Sequence, residues 1–120
     1  MISVLQDVIE PFNECAGCAG VYIYFENDIP VYVGSAGKSN RDLKFRLGQY
    51  LNEGDTGATL RINIQKIDRL NPQDAVKKIK TFTIKVIICG SNNPIDFTGI
   101  SDLEKLLIKL LQPKYNVNFK

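Results

Sequence analysis

Apolar positions along the chain follow two periods, and the switches between them mark its elements. Val4, Val8, Ile9 and Phe12 fall at helical spacing, so Ser3–Glu14 is expected to open the chain as a short helix. Gly20 then precedes Val21–Phe25, and Ile29–Val33 follows closely; both runs are rich in β-branched and aromatic residues. The polar Glu26-Asn27-Asp28 between them predicts a tight hairpin. Residues 34–40, with two glycines and two serines, read as a loop. Leu43, Leu47 and Leu51 form one stripe of a helix over Arg41–Asn52. A second helix is expected over Asp55–Arg69, and Pro72 starts a third that runs to about Lys80. Phe82–Cys89 becomes continuously apolar, as a buried central strand does. Ser101 caps a final helix that ends at Leu111, with Pro113 behind it. No repeat, low-complexity stretch or linker divides residues 1–120. They are expected to form one α+β domain, a small three-stranded antiparallel sheet flanked by helices.

Strand parity says which side chains share a face. With an odd-numbered hairpin loop, positions 22 and 34, 23 and 33, and 24 and 32 oppose each other. Tyr22, Tyr24, Tyr32 and Gly34 then lie on one face, and Ile23, Phe25, Val31 and Val33 on the other. An even loop would mix tyrosines with valines, so the pattern favours the odd register. It gathers phenols beside a glycine that leaves room for a ligand, although tyrosine also favours strands for packing alone. On the last helix, Leu103, Leu106, Leu107, Ile108, Leu110 and Leu111 fill one broad arc, and Glu104 falls inside it. A carboxylate aimed towards a core is costly unless paired or bound. It is either half of an ion pair with an arginine or a ligand for a hard divalent cation. Arg46 and Tyr50, four apart on the helix after the hairpin, face the same way. A fixed guanidinium beside phenols and a lone carboxylate suits a phosphate.

Composition narrows the chemistry. The chain has 120 residues, 44% of them hydrophobic, which is enough for one unstapled core. No apolar run approaches the roughly 20 residues of a membrane span, and Met1–Glu10 does not look like a signal peptide. Three cysteines argue against a disulfide framework and for a reducing, cytosolic setting. Cys15 and Cys18 lack the further ligands a zinc site needs and read as incidental small residues. There is no histidine, which removes Ser-His and Cys-His schemes and leaves acid–base work to Tyr, Lys or a carboxylate. Charge is lopsided: five acids and no bases precede Lys38, leaving all 15 bases against eight acids beyond it. Such asymmetry suits a polyanionic partner, or simply a solvated lysine surface.

Gly20-Val21-Tyr22 and Tyr32-Val33-Gly34, ten residues apart on a hairpin, resemble the two halves of the GIY-YIG motif. The likeness continues through Arg46 on the next helix, Tyr50 one turn later, Glu104 on a late helix and Pro113-Lys-Tyr-Asn116, and so covers residues 20–116. Each half-motif is weak alone, whereas the ordered set is specific. The resemblance implies a nuclease that hydrolyses DNA phosphodiester bonds with one Mg²⁺ or Mn²⁺ on Glu104. It implies Arg46 at the scissile phosphate, Tyr22 or Tyr32 as base and Tyr50 beside phosphate or a catalytic tyrosine. Asn116 is implied to orient the groups around them. Three features depart from the pattern, the first a conservative one, valine for isoleucine in both halves of the motif. Several members carry a lysine after the second glycine, where this chain has Ser35, with Lys38 the nearest base. The segment 52–81 is long, and its Arg61, Lys66, Arg69, Lys77, Lys78 and Lys80 form either a DNA-contacting addition or a solvated face. The site expected is therefore Tyr22, Tyr32, Arg46, Tyr50, Glu104 and Asn116, with Lys38, Lys77, Lys78 and Lys80 as further nucleic-acid contacts. A non-catalytic nucleic-acid-binding module on the same scaffold is the alternative from another class. A small structural protein with a buried Glu104–Arg46 pair is a third.

Overall fold

The sheet is built around the tyrosine hairpin. In the computed structural model, which describes residues 6–37, 42–54, 58–91 and 97–117, strand β2 (Cys18–Glu26) pairs with β3 (Ile29–Ala36). Asn27 and Asp28 make the turn, both with positive φ (51° and 66°), as a two-residue primed turn requires. That loop is even, not odd. Register nevertheless reaches the odd arrangement, because a bulge intervenes: Phe25 faces Pro30, whereas Tyr24 faces Tyr32, Ile23 faces Val33 and Tyr22 faces Gly34. The extra residue is Val31, and it packs in the tyrosine core instead of beside Ile23 and Val33 as expected. A bulge gives two neighbouring residues one partner, so simple alternation fails there.

Among the described residues the sheet has four strands, not three. β4 (Thr83–Ser91) lies against the other side of β2, and β1 (Gln6–Val8) pairs with β4, giving the antiparallel order β1-β4-β2-β3. β1 occupies the place expected for the opening helix. Pro11 cannot continue a helix and disfavours it in the residue before. The open edge of β4 instead accepts Gln6 opposite Val86, Asp7 opposite Lys85 and Val8 opposite Ile84. Val8 and Phe12 are buried, Ile9 is exposed, and a 3₁₀ turn at Asn13–Cys15 leads into β2.

Helices cover both faces. Three pack on the tyrosine side: α1 (Leu43–Gln49), α2 (Thr59–Asp68) and α3 (Pro72–Ile79). Asp42 caps α1 by accepting from Phe45 N–H at 2.7 Å, and its other oxygen accepts from Gly17 N–H at 2.7 Å. Asn71 caps α3, with Pro72 in its first turn. The core here holds Tyr22, Tyr24, Tyr32, Leu43, Leu47, Tyr50, Leu60, Ile64, Ile79 and Phe82. Among the described residues the opposite face carries α4 (Phe97–Leu111) alone, which starts upstream of Ser101, the residue expected to cap it. Ile100 is buried there, and Leu103, Leu107 and Ile108 press on Val21, Ile23 and Val33. Leu106, Leu110 and Leu111, expected in the same arc, are exposed: a single helix on a narrow sheet buries one stripe.

β3 is an edge strand, and the segment after α4 covers it. Tyr115 N–H donates to the Val31 carbonyl at 2.8 Å. The Asn116 amide closes both outward groups of Val33, accepting from its N–H at 2.7 Å and donating to its carbonyl at 2.8 Å. Tyr115 is fixed in turn by Asn63, whose amide donates to its carbonyl at 2.8 Å, and by Asp68, which accepts its hydroxyl at 2.6 Å.

Candidate active site

Tyr22 and Tyr24 project from β2 and Tyr32 from β3, all towards α1, whose end supplies Tyr50. The rings form one cluster: centroids lie 5.8 Å apart for Tyr22–Tyr50 and for Tyr32–Tyr50, and 6.5 Å apart for Tyr22–Tyr32. Gly34 makes this possible. A Cβ on Gly34 would overlap the Tyr22 phenol, which lies directly over the Gly34 backbone. The Tyr50 hydroxyl is central, sharing a hydrogen bond with Tyr22 and reaching the Tyr32 hydroxyl at 3.5 Å.

These phenols are nearly sealed, with Tyr22 1%, Tyr50 2% and Tyr32 6% exposed. Burial is the main cause pushing all three well above the ordinary tyrosine pKa, because an isolated phenolate would lose its hydration. Arg46 opposes this at Tyr22 and Tyr32, whereas the Glu104 charge adds to the rise at Tyr32. The protein's own residues therefore leave all three phenols above the usual tyrosine value. Arg46 is half-buried, placed by Leu43 and Leu47 on the inner side of α1, and its Nη1 donates to Gln49 Oε1 at 2.8 Å.

Glu104 arrives from the other side of the sheet. α4 presents it, half-exposed, next to the Leu103 contact, and its Oε1 accepts from Ser35 Oγ–H at 2.5 Å. Ser35 follows Gly34, so the carboxylate meets β3 one residue beyond the phenol-covered glycine. Among the described residues no lysine or arginine lies within ion-pair distance of Glu104, and Arg46 does not pair with it. A buried Glu104–Arg46 bridge is thus not what holds the fold together.

The donor set around Glu104 is oxygen alone, carboxylate and hydroxyl, which suits a hard divalent cation. No cluster of three or more His, Cys, Asp or Glu exists among the described residues. A single carboxylate fits Mg²⁺ or Mn²⁺, ions that retain several waters and take substrate oxygens as further ligands.

The other expected residues divide. The Asn116 amide bonds to backbone, not to a phenol: it grips Val33, between Tyr32 and Gly34, and so holds the strand that carries them. Lys38 lies outside the described residues. Lys77 and Lys80 are exposed on or beside α3. Lys78 is engaged at the hairpin-turn end, 2.7 Å from Asp68 and 3.9 Å from Glu26. The hydrogen bond to Asp68, with Tyr115 beside it, holds Lys78 charged, above its usual pKa. Arg61, read as surface, is buried on α2 and donates to Gln65. Cys15 and Cys18 are buried free thiols; burial pushes Cys15 up to about 11 and Cys18 upward, the reverse of a reactive pair. Sequence reasoning missed Ser35 as a partner of Glu104. Its one visible signal was the resemblance itself, in which Ser35 stands where several members of the family carry lysine.

No helix among the described residues is long and apolar enough to cross a membrane. No curated protein and no solved structure matches the chain. The family model for the GIY-YIG catalytic domain matches residues 18–116. That match runs from the first residue of β2 to the asparagine that grips β3, and it includes both halves of the hairpin motif, Arg46, Tyr50 and Glu104. The chain belongs to the GIY-YIG catalytic-domain family, a family of nucleases.

Proposed function

We propose that the protein is an endonuclease that hydrolyses DNA phosphodiester bonds with one divalent cation, Mg²⁺ or Mn²⁺, held by Glu104. The observation that carries this reading is the meeting at Gly34 and Ser35 of two separately built halves, a phenol cluster with Arg46 and a carboxylate without a cationic partner among the described residues. Arg46 neutralises charge on the non-bridging oxygens of the scissile phosphate. Tyr22 or Tyr32, in its phenolate form, takes a proton from the attacking water, whose oxygen bonds to phosphorus as the ester P–O bond breaks and the leaving oxygen departs to be protonated by solvent water. Tyr50, bonded to both hydroxyls, holds them in place and shares the proton. Asn116 keeps β3 in register behind them. The cation, when bound, supplies Lewis-acid stabilisation of the leaving oxygen. Burial dominates and keeps these phenols protonated; Arg46 acts against it at Tyr22 and Tyr32, and further positive charge beside Glu104 would act in the same direction on Tyr32. Lys77 and Lys80 are exposed and free to meet backbone phosphates beyond the site, with Lys38 and Lys78 as further contacts.

A second reading has one observation in its favour. The phenols are sealed and protonated, as in a core, so the scaffold could bind nucleic acid without cutting it. Incubating the purified protein with supercoiled plasmid and Mn²⁺, with and without chelator, separates the two. Nicking or linearisation that chelator abolishes and Arg46→Ala lowers by about 10²–10³-fold supports the nuclease. A shifted but uncut plasmid at every metal concentration supports the binding module.

A further inference from the structure

The Glu104 side chain has three rotatable bonds, and leaving it disordered would spread its carboxylate over many orientations. One contact among the described residues prevents this: the Ser35 hydroxyl, 2.5 Å from Oε1. That separation lies in the range of an O–H donor on an ionised carboxylate, the stronger class of hydrogen bond. The donor is itself held. Ser35 faces Val21 across the β2–β3 ladder, and two residues earlier Asn116 locks both backbone groups of Val33. α4, by contrast, meets the sheet through apolar contacts of Ile100, Leu103, Leu107 and Ile108, which restrain a carboxylate poorly.

We propose that Ser35 is a positioning residue for metal binding: its hydroxyl fixes the plane of the Glu104 carboxylate against β3 and leaves Oε2 to a hydrated divalent cation. This rests on the reading of Glu104 as the cation ligand. Hydroxyl and carbonyl groups that orient metal-binding side chains commonly change metal affinity by about 10–100-fold when removed. Ser35 does so from the strand that also carries Tyr32 and Gly34, so the cation and the phenols are set by one backbone segment.

The test is Mn²⁺ binding to the full chain, followed by electron paramagnetic resonance of the free ion, with no nucleic acid present. Ser35→Ala is expected to weaken binding by about 10–100-fold. Ser35→Thr, which keeps the hydroxyl and suits a strand, is expected to restore it. Glu104→Gln is expected to abolish binding, and adding Ser35→Ala to it to change nothing further. Wild-type affinity in Ser35→Ala, or Ser35→Thr as weak as Ser35→Ala, would overturn the role of Ser35 while leaving Glu104 as ligand. Failure of the wild-type chain to bind Mn²⁺ would overturn both.

Discussion

The two faces of the sheet are built on opposite principles. Towards α1, α2 and α3 the interior is deep and holds hydroxyls that bond chiefly to one another, three of them joined through Tyr50. Towards α4 it is a shallow apolar seam, with one half-exposed carboxylate tied to a strand serine and leucines left in solvent. A buried polar cluster is costly when incomplete and rigid when complete. A half-exposed carboxylate on a lightly packed helix carries little of the fold's stability and remains open to an ion. The site thus has a rigid, protonated half and an accessible, charged half, and β3 is the element they share. Removing groups from the two halves should therefore produce different kinds of damage.

Glu104→Gln should give the largest effect on function, with cleavage falling to background and thermal stability unchanged, as calorimetry alongside a plasmid assay would show. A destabilised variant would mean that the α4 face is structural after all. Tyr50→Phe should damage both properties. It leaves the Tyr22 and Tyr32 hydroxyls without their shared partner, at a cost of about 1–3 kcal/mol by denaturant unfolding. Cleavage should fall as well, by about 10²-fold if proton transfer passes through this group. Loss of stability with full activity would detach the cluster from the chemistry.

Alkali should weaken the phenol face selectively. Burial keeps Tyr22, Tyr32 and Tyr50 protonated in the folded chain at pH values where an unfolded chain ionises its tyrosines. Below about pH 10 both states keep these protons, so their contribution is fully present. Above it the unfolded chain releases protons that the folded chain retains. Stability then falls as pH rises, by up to about 1.4 kcal/mol per phenol per pH unit, until the raised folded values are reached. Melting curves between pH 9 and 11.5 (roughly spanning the ordinary tyrosine pKa), with tyrosinate absorbance recorded together, would show ionisation and unfolding coinciding. Ionisation without unfolding would mean that the phenols are open to solvent. The smallest effect should come from Lys77→Glu with Lys80→Glu, both exposed side chains. If both meet phosphates, the salt dependence of binding should lose about 1.8 in log–log slope. An unchanged slope would confine the DNA contact to the active-site face.

What could be read from the residues follows how directly each pattern maps to geometry. Parity is strict within a strand, so the shared facing of Tyr22 and Tyr24 was legible in the sequence. The opposition of Tyr22 to Gly34 and of Tyr24 to Tyr32 was expected from an odd loop and arises from an even one with a bulge. The bulge at Val31 was not legible, because inserting one residue leaves no mark on composition and only the turn chemistry of Asn27-Asp28 hints at it. Val4, Val8, Ile9 and Phe12 mimic a helix, and the hydrogen-bonding demand of the β4 edge outweighed that local spacing. On α4 the wide leucine arc reflected composition, but the number of strands beneath the helix decides how much of an arc is buried. Glu104 stood out for the right reason, as a carboxylate among leucines, while its partner Ser35 lies 69 positions away and has no periodic signature. Lys78 looked like its neighbours in sequence, and only the fold shows it engaged by Asp68 and Glu26.

Whether the buried phenols perform the chemistry or only fill the face decides between the nuclease and the binding module. The direct measurement is the pH dependence of Mg²⁺-dependent cleavage under single-turnover conditions, kept below the alkaline limit of stability set by the same tyrosines. A tyrosine base whose pKa lies above the working range gives a rate that rises about tenfold per pH unit across that range. That rise should be lost in either Tyr22→Phe or Tyr32→Phe, which then identifies the base. A rate that is flat with pH and unaltered by both substitutions would contradict the account and leave the phenol cluster as packing alone.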